Sequence, residues 1–239
     1  MRLLTYNIHK GVGGADRRYR LDRIIEVIRA EQPDLVCLQE VDFNVKRSRF
    51  DNQPDILADR LRAHTAMYQL NHPYREGGYA NLILSRWPLL SRHQLSIRYR
   101  RRKNRGAQLA VVDTPEGQLR LVNWHLGLRE RERRWQVAHL LEHELFTLAP
   151  HLPTLIAGDY NDWRNTLGPL RFDPHGFEQV TAPTKHYRSF PAFFPLAALD
   201  KVYRKGPVRV EESATVRTRL ARRASDHLPL VVDFRLEPH

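Results

Sequence analysis

Two mixed β-sheets packed together with helices outside, an α/β arrangement, is the fold that three features of this 239-residue sequence predict. The chain opens in β-α-β order, continues through short strands joined by tight turns, and then returns to a helix followed by a strand. Apolar runs of strand length alternate with stretches of helical period. No fixed-period repeat, low-complexity linker or break in composition divides the chain, so residues 1–239 read as one domain.

Taken in order, residues 2–8 form a strand that ends at Asn7. Lys10-Gly11-Val12-Gly13-Gly14 is a flexible loop without the Gly-Lys-Ser/Thr ending of a P-loop. Leu21, Ile24, Ile25 and Ile28 recur at i, i+3, i+4 and i+7, which marks a helix with one buried face, and Pro33 closes it. Residues 34–39 form a second buried strand ending at Glu40, and a helix after Pro54 turns Ile56, Leu57 and Leu61 inward. Strands follow at 81–85, 89–97 and 107–113. Thr114-Pro115-Glu116-Gly117 then makes a β-turn into a strand at 118–124, which ends at His125.

The run 98–105 is the densest positive charge in the chain. Val137, Leu141, Leu145 and Leu148 predict one helix over 130–148, ended by Pro150 and Pro153. The buried strand at 154–157 stops at Gly158. Beyond it come Asp159 and Asn161, a Pro-rich aromatic loop at 183–195, and strands near 200–203, 208–216 and 230–234.

Composition narrows the function. Hydrophobic residues make up 41% and charged residues 28%, as in a globular protein. No apolar run approaches the roughly 18 residues of a membrane span. The first residues lack the apolar core of a signal peptide, so the expected compartment is the cytoplasm. A lone cysteine, Cys37, excludes an intramolecular disulfide or a thiolate metal cluster. Lys and Arg number 39 against 27 acids, a net charge of +12 that attracts phosphates on nucleic acid, anionic lipid or small molecules.

The polar residues just beyond the buried strands carry the chemistry: Asn7, Glu40, His125, Asp159 with Asn161, Asp200, and Asp226-His227. Singly, each has an ordinary explanation as a turn former, surface acid or structural histidine. Together they suit metal-assisted hydrolysis of a phosphate ester. Mg²⁺ takes one or two carboxylates and fills its remaining positions with water and phosphate. Imidazole–carboxylate pairs orient groups and stabilise charge on the phosphate, and a separate Asp can hold the attacking water.

Leu4-Thr5-Tyr6-Asn7-Ile8, the segment 34–41 containing Glu40, and Gly158-Asp159-Tyr160-Asn161-Asp162 resemble three signatures of the endonuclease/exonuclease/phosphatase superfamily. Leu199-Asp200-Lys201-Val202-Tyr203 resembles its late Asp motif and Ser225-Asp226-His227-Leu228-Pro229 its C-terminal Ser-Asp-His. The segments 79–86 and 105–107 sit where that family has its mid-chain strands. The resemblance implies a four-layer α/β sandwich and a Mg²⁺- or Mn²⁺-dependent phosphoesterase. It implies Glu40 as principal metal ligand with Asn7 and Asp226 nearby, Asp159 on the water, and Asn161 on the scissile phosphate. His227 partnered by Asp200 would stabilise developing charge, His125 would contact the phosphate or aid the leaving group, and Asn81 and Arg105 are candidates for substrate contact.

The opening Asn7-Ile8-His9-Lys10-Gly11, and Arg188-Ser189-Phe190-Pro191 before the late Asp, resemble a bacterial branch of the superfamily. The chain lacks the Trp-Arg that precedes the late Asp in abasic-site endonucleases. Nucleic acid is the first expected substrate. A phosphatase, or a phosphodiesterase for phospholipid or inositol phosphate, is the alternative.

Two remoter readings stand beside these. His139-Leu140-Leu141-Glu142-His143 spells the H-x-x-E-H of inverted zinc peptidases, on what is otherwise a surface face of its helix. A basic module that binds without catalysis is the other.

Overall fold

The computed structural model describes residues 1–237, so the last two positions of the expected 1–239 domain lie outside the described residues. In chain order, β1 (Arg2–Asn7) leads through α1 (Leu21–Glu31) to β2 (Leu35–Phe43), and α2 (Gln53–Arg60) leads to β3 (Thr65–Pro73) and β4 (Gly78–Ser85). A meander of β5 (Leu89–Ser96), β6 (Gly106–Thr114) and β7 (Gly117–His125) precedes α3 (Glu130–Leu141), α4 (Glu144–Thr147) and β8 (Thr154–Asp159). Then come β9 (Glu178–Gln179), β10 (Asp200–Lys205), β11 (Val208–Thr215), α5 (Ala221–Ala224) and β12 (Leu230–Leu236).

Two six-stranded mixed sheets result, ordered β11-β12-β1-β2-β4-β3 and β5-β6-β7-β8-β10-β9. Each is centred on one parallel pair, β1 with β2 and β7 with β8, and the crossovers between the paired strands carry helices. Three apolar clusters fill the gaps between four layers. Ile24, Ile25 and Ile28 of α1 pack on Leu4, Tyr6 and Leu38 of the first sheet. Leu3, Leu35, Leu121, Leu155 and Val232 join the two sheets, and Val137 and Leu140 of α3 cover Val122, Trp124 and Ile156.

The inter-sheet layer is not wholly apolar. Asn123 Nδ2 donates to Gln108 Oε1 (2.9 Å) and to the Leu38 carbonyl (3.0 Å), while Gln39 Nε2 donates to Asn123 Oδ1 (2.8 Å). These buried amides tie one sheet to the other directly beneath the strand ends.

The expected helix over 130–148 is two helices. His143 adopts an extended conformation, its Nδ1 accepts the Leu145 N–H (3.2 Å), and a new turn starts there. The change of direction buries Phe146 and leaves Leu148 78% exposed, so Leu148 is not part of the core. β3 was not anticipated because it is an edge strand with few buried positions, Met67 and Gln69 among them. Helix α1 matches its periodicity: Leu21, Ile24, Ile25 and Ile28 are all buried, and Gln32 ends it in the left-handed region just before Pro33. No helix among the described residues is long and apolar enough to cross a membrane, and Cys37 is a free, buried thiol.

Candidate active site

Strand direction gathers the polar residues. A parallel strand brings its C-terminal end to a given sheet edge, and an antiparallel neighbour brings its N-terminal end to the same edge. Thus β1 and β2 deliver Asn7 and Glu40, and β12, antiparallel to β1, is entered through Ser225-Asp226-His227. In the other sheet β7 and β8 deliver His125 and Asp159, opposite each other in register. β10, antiparallel to β8, begins with Asp200 opposite Asp159. β4 and β6 start at this edge too, which brings Asn81 and Arg105 alongside.

Asp159 lies at the centre. Its Oδ2 accepts the Asn7 amide at 3.0 Å and stands 3.3 Å from His125 Nε2 and 3.8 Å from His227 Nε2; its Oδ1 accepts the Asn161 N–H at 2.9 Å. Burial, reinforced by Asp200, raises its pKa, while His227 acts in the opposite sense. Gly158 makes the position possible. At φ +144° it occupies a region that L side chains avoid, and a Cβ there would meet the Trp124 carbonyl oxygen at 2.1 Å. Asn161, also at positive φ (49°), turns its amide to donate to the Leu126 carbonyl (3.0 Å).

His227 pairs with Asp200, its Nδ1 2.8 Å from Asp200 Oδ2. Burial opposes its charge, but Asp200 and Asp159 outweigh burial and lift its pKa to about 10, so the ring is an imidazolium at neutral pH. His125 is its opposite: burial, with Arg105 nearby, drives its pKa well below 6.5 and leaves it neutral. Two buried imidazoles in one site thus hold different charge states. Ser225 links the sheet to this pair, its Oγ donating to the Asn7 carbonyl at 2.8 Å and accepting the His227 N–H at 3.3 Å.

Glu40 is not at a strand end, as its position after residues 34–39 suggested, but inside β2 at a bulge. Leu38 pairs with Leu82 and Val41 with Ala80, so Gln39 and Glu40 together oppose Asn81. Glu40 carries φ +58° there, and the bulge re-aims its side chain. Burial works against its ionisation, yet the Lys10 ammonium beside it holds the carboxyl well below the ordinary range. Lys10 Nζ is hydrogen-bonded to Glu40 Oε2.

Asp226 stands 3.8 Å from His9 Nε2, with its backbone packed against Gly14 of the glycine-rich loop. Among the described residues no group of three or more His, Cys, Asp or Glu converges as a metal cage. The Glu40 carboxylate is nevertheless a hard oxygen donor, and the Lys10 ammonium resting on it shows that the position accepts positive charge. This set fits a divalent cation held by one or two carboxylates.

Asn81 Nδ2 donates to the Gly106 carbonyl (3.0 Å), fastening β4 to the start of β6. The adjacent Arg105 is 7% exposed, pairs with no carboxylate among the described residues, and has a buried Nε without a partner. Lys10 and Lys103 lie 5.7 and 4.9 Å from the Tyr79 ring centroid, so this wall of the site is cationic. Lys10 was missed as a site residue. Its signal was its place within the opening Asn-Ile-His-Lys-Gly motif, directly after a strand end.

Asp162 takes no part. It is buried against Lys201 (3.3 Å) and Arg133 (3.7 Å), a structural ion pair on the far side of the loop. His139 and His143 sit on either side of the α3–α4 break with ring centroids 6.0 Å apart, and His139 stacks on Trp135.

Residues 4–227 match the model of the Endonuclease/Exonuclease/phosphatase family. The protein YbhP of Escherichia coli (strain K12) is 34% identical over 247 residues, which span 98% of this chain and 96% of the relative. The crystal structure of an endonuclease/exonuclease/phosphatase from Beutenbergia cavernae superposes with a TM-score of 0.79 at 22% identity, over 99% of this chain and 71% of the other. A mannosyl-6-phosphatase from Bacteroides thetaiotaomicron superposes with a TM-score of 0.76 at 14% identity, over 98% and 99% of the two chains.

Proposed function

Because the chain belongs to the endonuclease/exonuclease/phosphatase family, we propose that it is a divalent-metal-dependent phosphodiesterase whose centre is the Asn7–Asp159–His125–His227–Asp200 cluster. Membership carries general phosphoesterase chemistry. The observation that carries the finer reading is Asp159, a buried carboxylate that accepts the Asn7 amide and lies 3.3 and 3.8 Å from the His125 and His227 rings. Glu40, with Asp226 and Asn7, would hold Mg²⁺ or Mn²⁺, which when bound would supply charge stabilisation at the phosphoryl oxygens. Asp159 orients the water and takes its proton as the new O–P bond forms. The His227 imidazolium, kept charged by Asp200, stabilises negative charge on the phosphate while the ester P–O bond breaks and the departing alkoxide takes a proton from water. His125 stays neutral and steadies Asp159 against the phosphate. Asn161 uses its remaining amide hydrogen on the scissile group, and Arg105 is free to pair with a phosphate oxygen.

Nucleic acid is the first substrate class in this reading, supported by the net charge of +12 and by the largely exposed basic residues of 98–103 on one rim. A phospholipid or inositol phosphodiester is the second, supported by exposed Phe193, Phe194 and Trp163 on the other rim. The mannosyl-6-phosphatase among the fold neighbours adds sugar phosphates to the panel worth testing. The opening motif supports the bacterial branch, and the cytoplasm remains the compartment of this reading.

The test is hydrolysis of a chromogenic phosphodiester with Mg²⁺ or Mn²⁺. Glu40→Ala should lose the activity, whereas His139→Ala/His143→Ala should retain it. Equal rates for wild type and Glu40→Ala would sink the proposal, and loss in the double histidine variant would revive a peptidase-like metal site.

A further inference from the structure

From Phe190 to Leu199 the chain reads Phe-Pro-Ala-Phe-Phe-Pro-Leu-Ala-Ala-Leu, ten positions without a polar side chain. Its outer part is not buried. A bridge between Phe190 and Ala197 closes the neck, and the tip beyond it carries Phe193, Phe194 and Leu196 at 61%, 65% and 57% exposure. Phe190 anchors the neck on the site, its ring 4.9 Å from the His227 imidazole. Trp163, 59% exposed, meets Phe190 edge-on at 5.8 Å and extends the apolar surface. A cluster of large exposed apolar side chains marks an interaction surface rather than ordinary surface scatter.

Positive charge is tied to the same loop. Arg222 donates to the Phe193 carbonyl (3.2 Å), and Arg217 donates to the carbonyls of His186 (3.2 Å) and Arg188 (3.5 Å). Segments 180–199 and 213–225 hold Lys185, Arg188, Arg217, Arg219, Arg222 and Arg223, and not one acid.

We infer that this knuckle docks the protein on a bilayer containing anionic lipid. The apolar tip enters the acyl boundary and the arginine collar meets the headgroup phosphates. A surface for stacking bases sets aromatic faces along a positively charged groove that tracks the backbone. Here the exposed tip of Phe193, Phe194 and Leu196 has no cationic or polar side chain between Phe190 and Leu199 to follow a strand. A second copy of the chain would set one basic collar against another on a molecule of net charge +12. A bilayer supplies an apolar interior behind a negative layer, in the order the tip and collar present. Since His227 stands at the foot of the knuckle, docking brings the catalytic edge to the headgroup layer. For its substrate this rests on the lipid arm of the phosphodiesterase reading; the docking itself does not.

The experiment is co-sedimentation of the full chain with phosphatidylcholine vesicles, with and without phosphatidylglycerol, beside hydrolysis of a soluble chromogenic phosphodiester. Wild type should bind the phosphatidylglycerol vesicles selectively. Phe193→Ser/Phe194→Ser should weaken that binding at least about tenfold, as expected for two withdrawn phenyl groups, while keeping the soluble activity. Arg217→Gln/Arg222→Gln should lose the preference for anionic vesicles. Failure of wild type to bind, or undiminished binding by the phenylalanine variant, overturns the docking. A phenylalanine variant that keeps vesicle binding but loses single-stranded DNA reassigns the knuckle to base stacking. Absence of soluble activity in both proteins counts against the proposed chemistry and leaves the vesicle result decisive for docking.

Discussion

Asp200 and His227 show how one residue sets the charge state of another. The imidazole is buried, and burial alone would make it neutral; the carboxylate at 2.8 Å reverses that and lifts its pKa to about 10. Because the folded pKa lies above the ordinary value of about 6.5, the pair's contribution to stability is fully present below that value. It is lost as pH rises through about 10. Asp200→Asn should therefore bring the His227 titration, followed by NMR, down to or below the ordinary imidazole value. The same variant should lower kcat by about 10²–10⁴-fold, the range for a displaced acid–base group; an unmoved titration would remove Asp200 from its role. At this scale the sequence was informative about identity and silent about charge. Asp226-His227 and Asp200 were visible as strand-end residues, but nothing in their spacing separates a charged His227 from a neutral His125. That difference comes from which carboxylates and which arginine the fold brings near each ring.

Strand ends and interruptions aim the side chains. β8 ends in Gly158-Asp159, and the missing Cβ lets the chain pass the Trp124 carbonyl closely enough to turn Asp159 inward. Gly158→Ala should destabilise the fold by about 2–3 kcal/mol, from strain plus a clash with backbone that cannot give way. Urea unfolding measures this, and an unchanged midpoint would show that the close approach does not matter. Buried strands and α1 were legible because their apolar residues follow a clean period. The bulge at Glu40 was not, since it depends on two residues of β2 sharing one partner in β4, a relation between strands distant in sequence. The break between α3 and α4 was hidden for a similar reason. Val137, Leu141, Leu145 and Leu148 keep helical spacing straight through it, while His143 finds a local hydrogen bond that begins a new helix.

Across the whole molecule, positive charge flanks the site on both sides. The run 98–105 lies on one rim, the arginines near 217–223 on the other, and Arg105 has no acid partner among the described residues. Binding of a polyanion should therefore weaken steeply with salt, because each neutralised phosphate releases counterions. KM for single-stranded DNA should rise between low and physiological salt, whereas KM for a small chromogenic ester should change little; equal salt dependence would argue against contacts beyond the scissile group. The order of the strands has a consequence of another kind, for synthesis. Arg2 of β1 pairs with Asp233 of β12, and Ser225 hydrogen-bonds the Asn7 carbonyl, so one edge of β1 stays unpaired until β12 is made. A nascent chain on the ribosome holds Asn7 and Glu40 long before His227 emerges. The hydrolytic centre is then assembled only after translation has passed β12, and the half-made protein cannot attack phosphate esters around it.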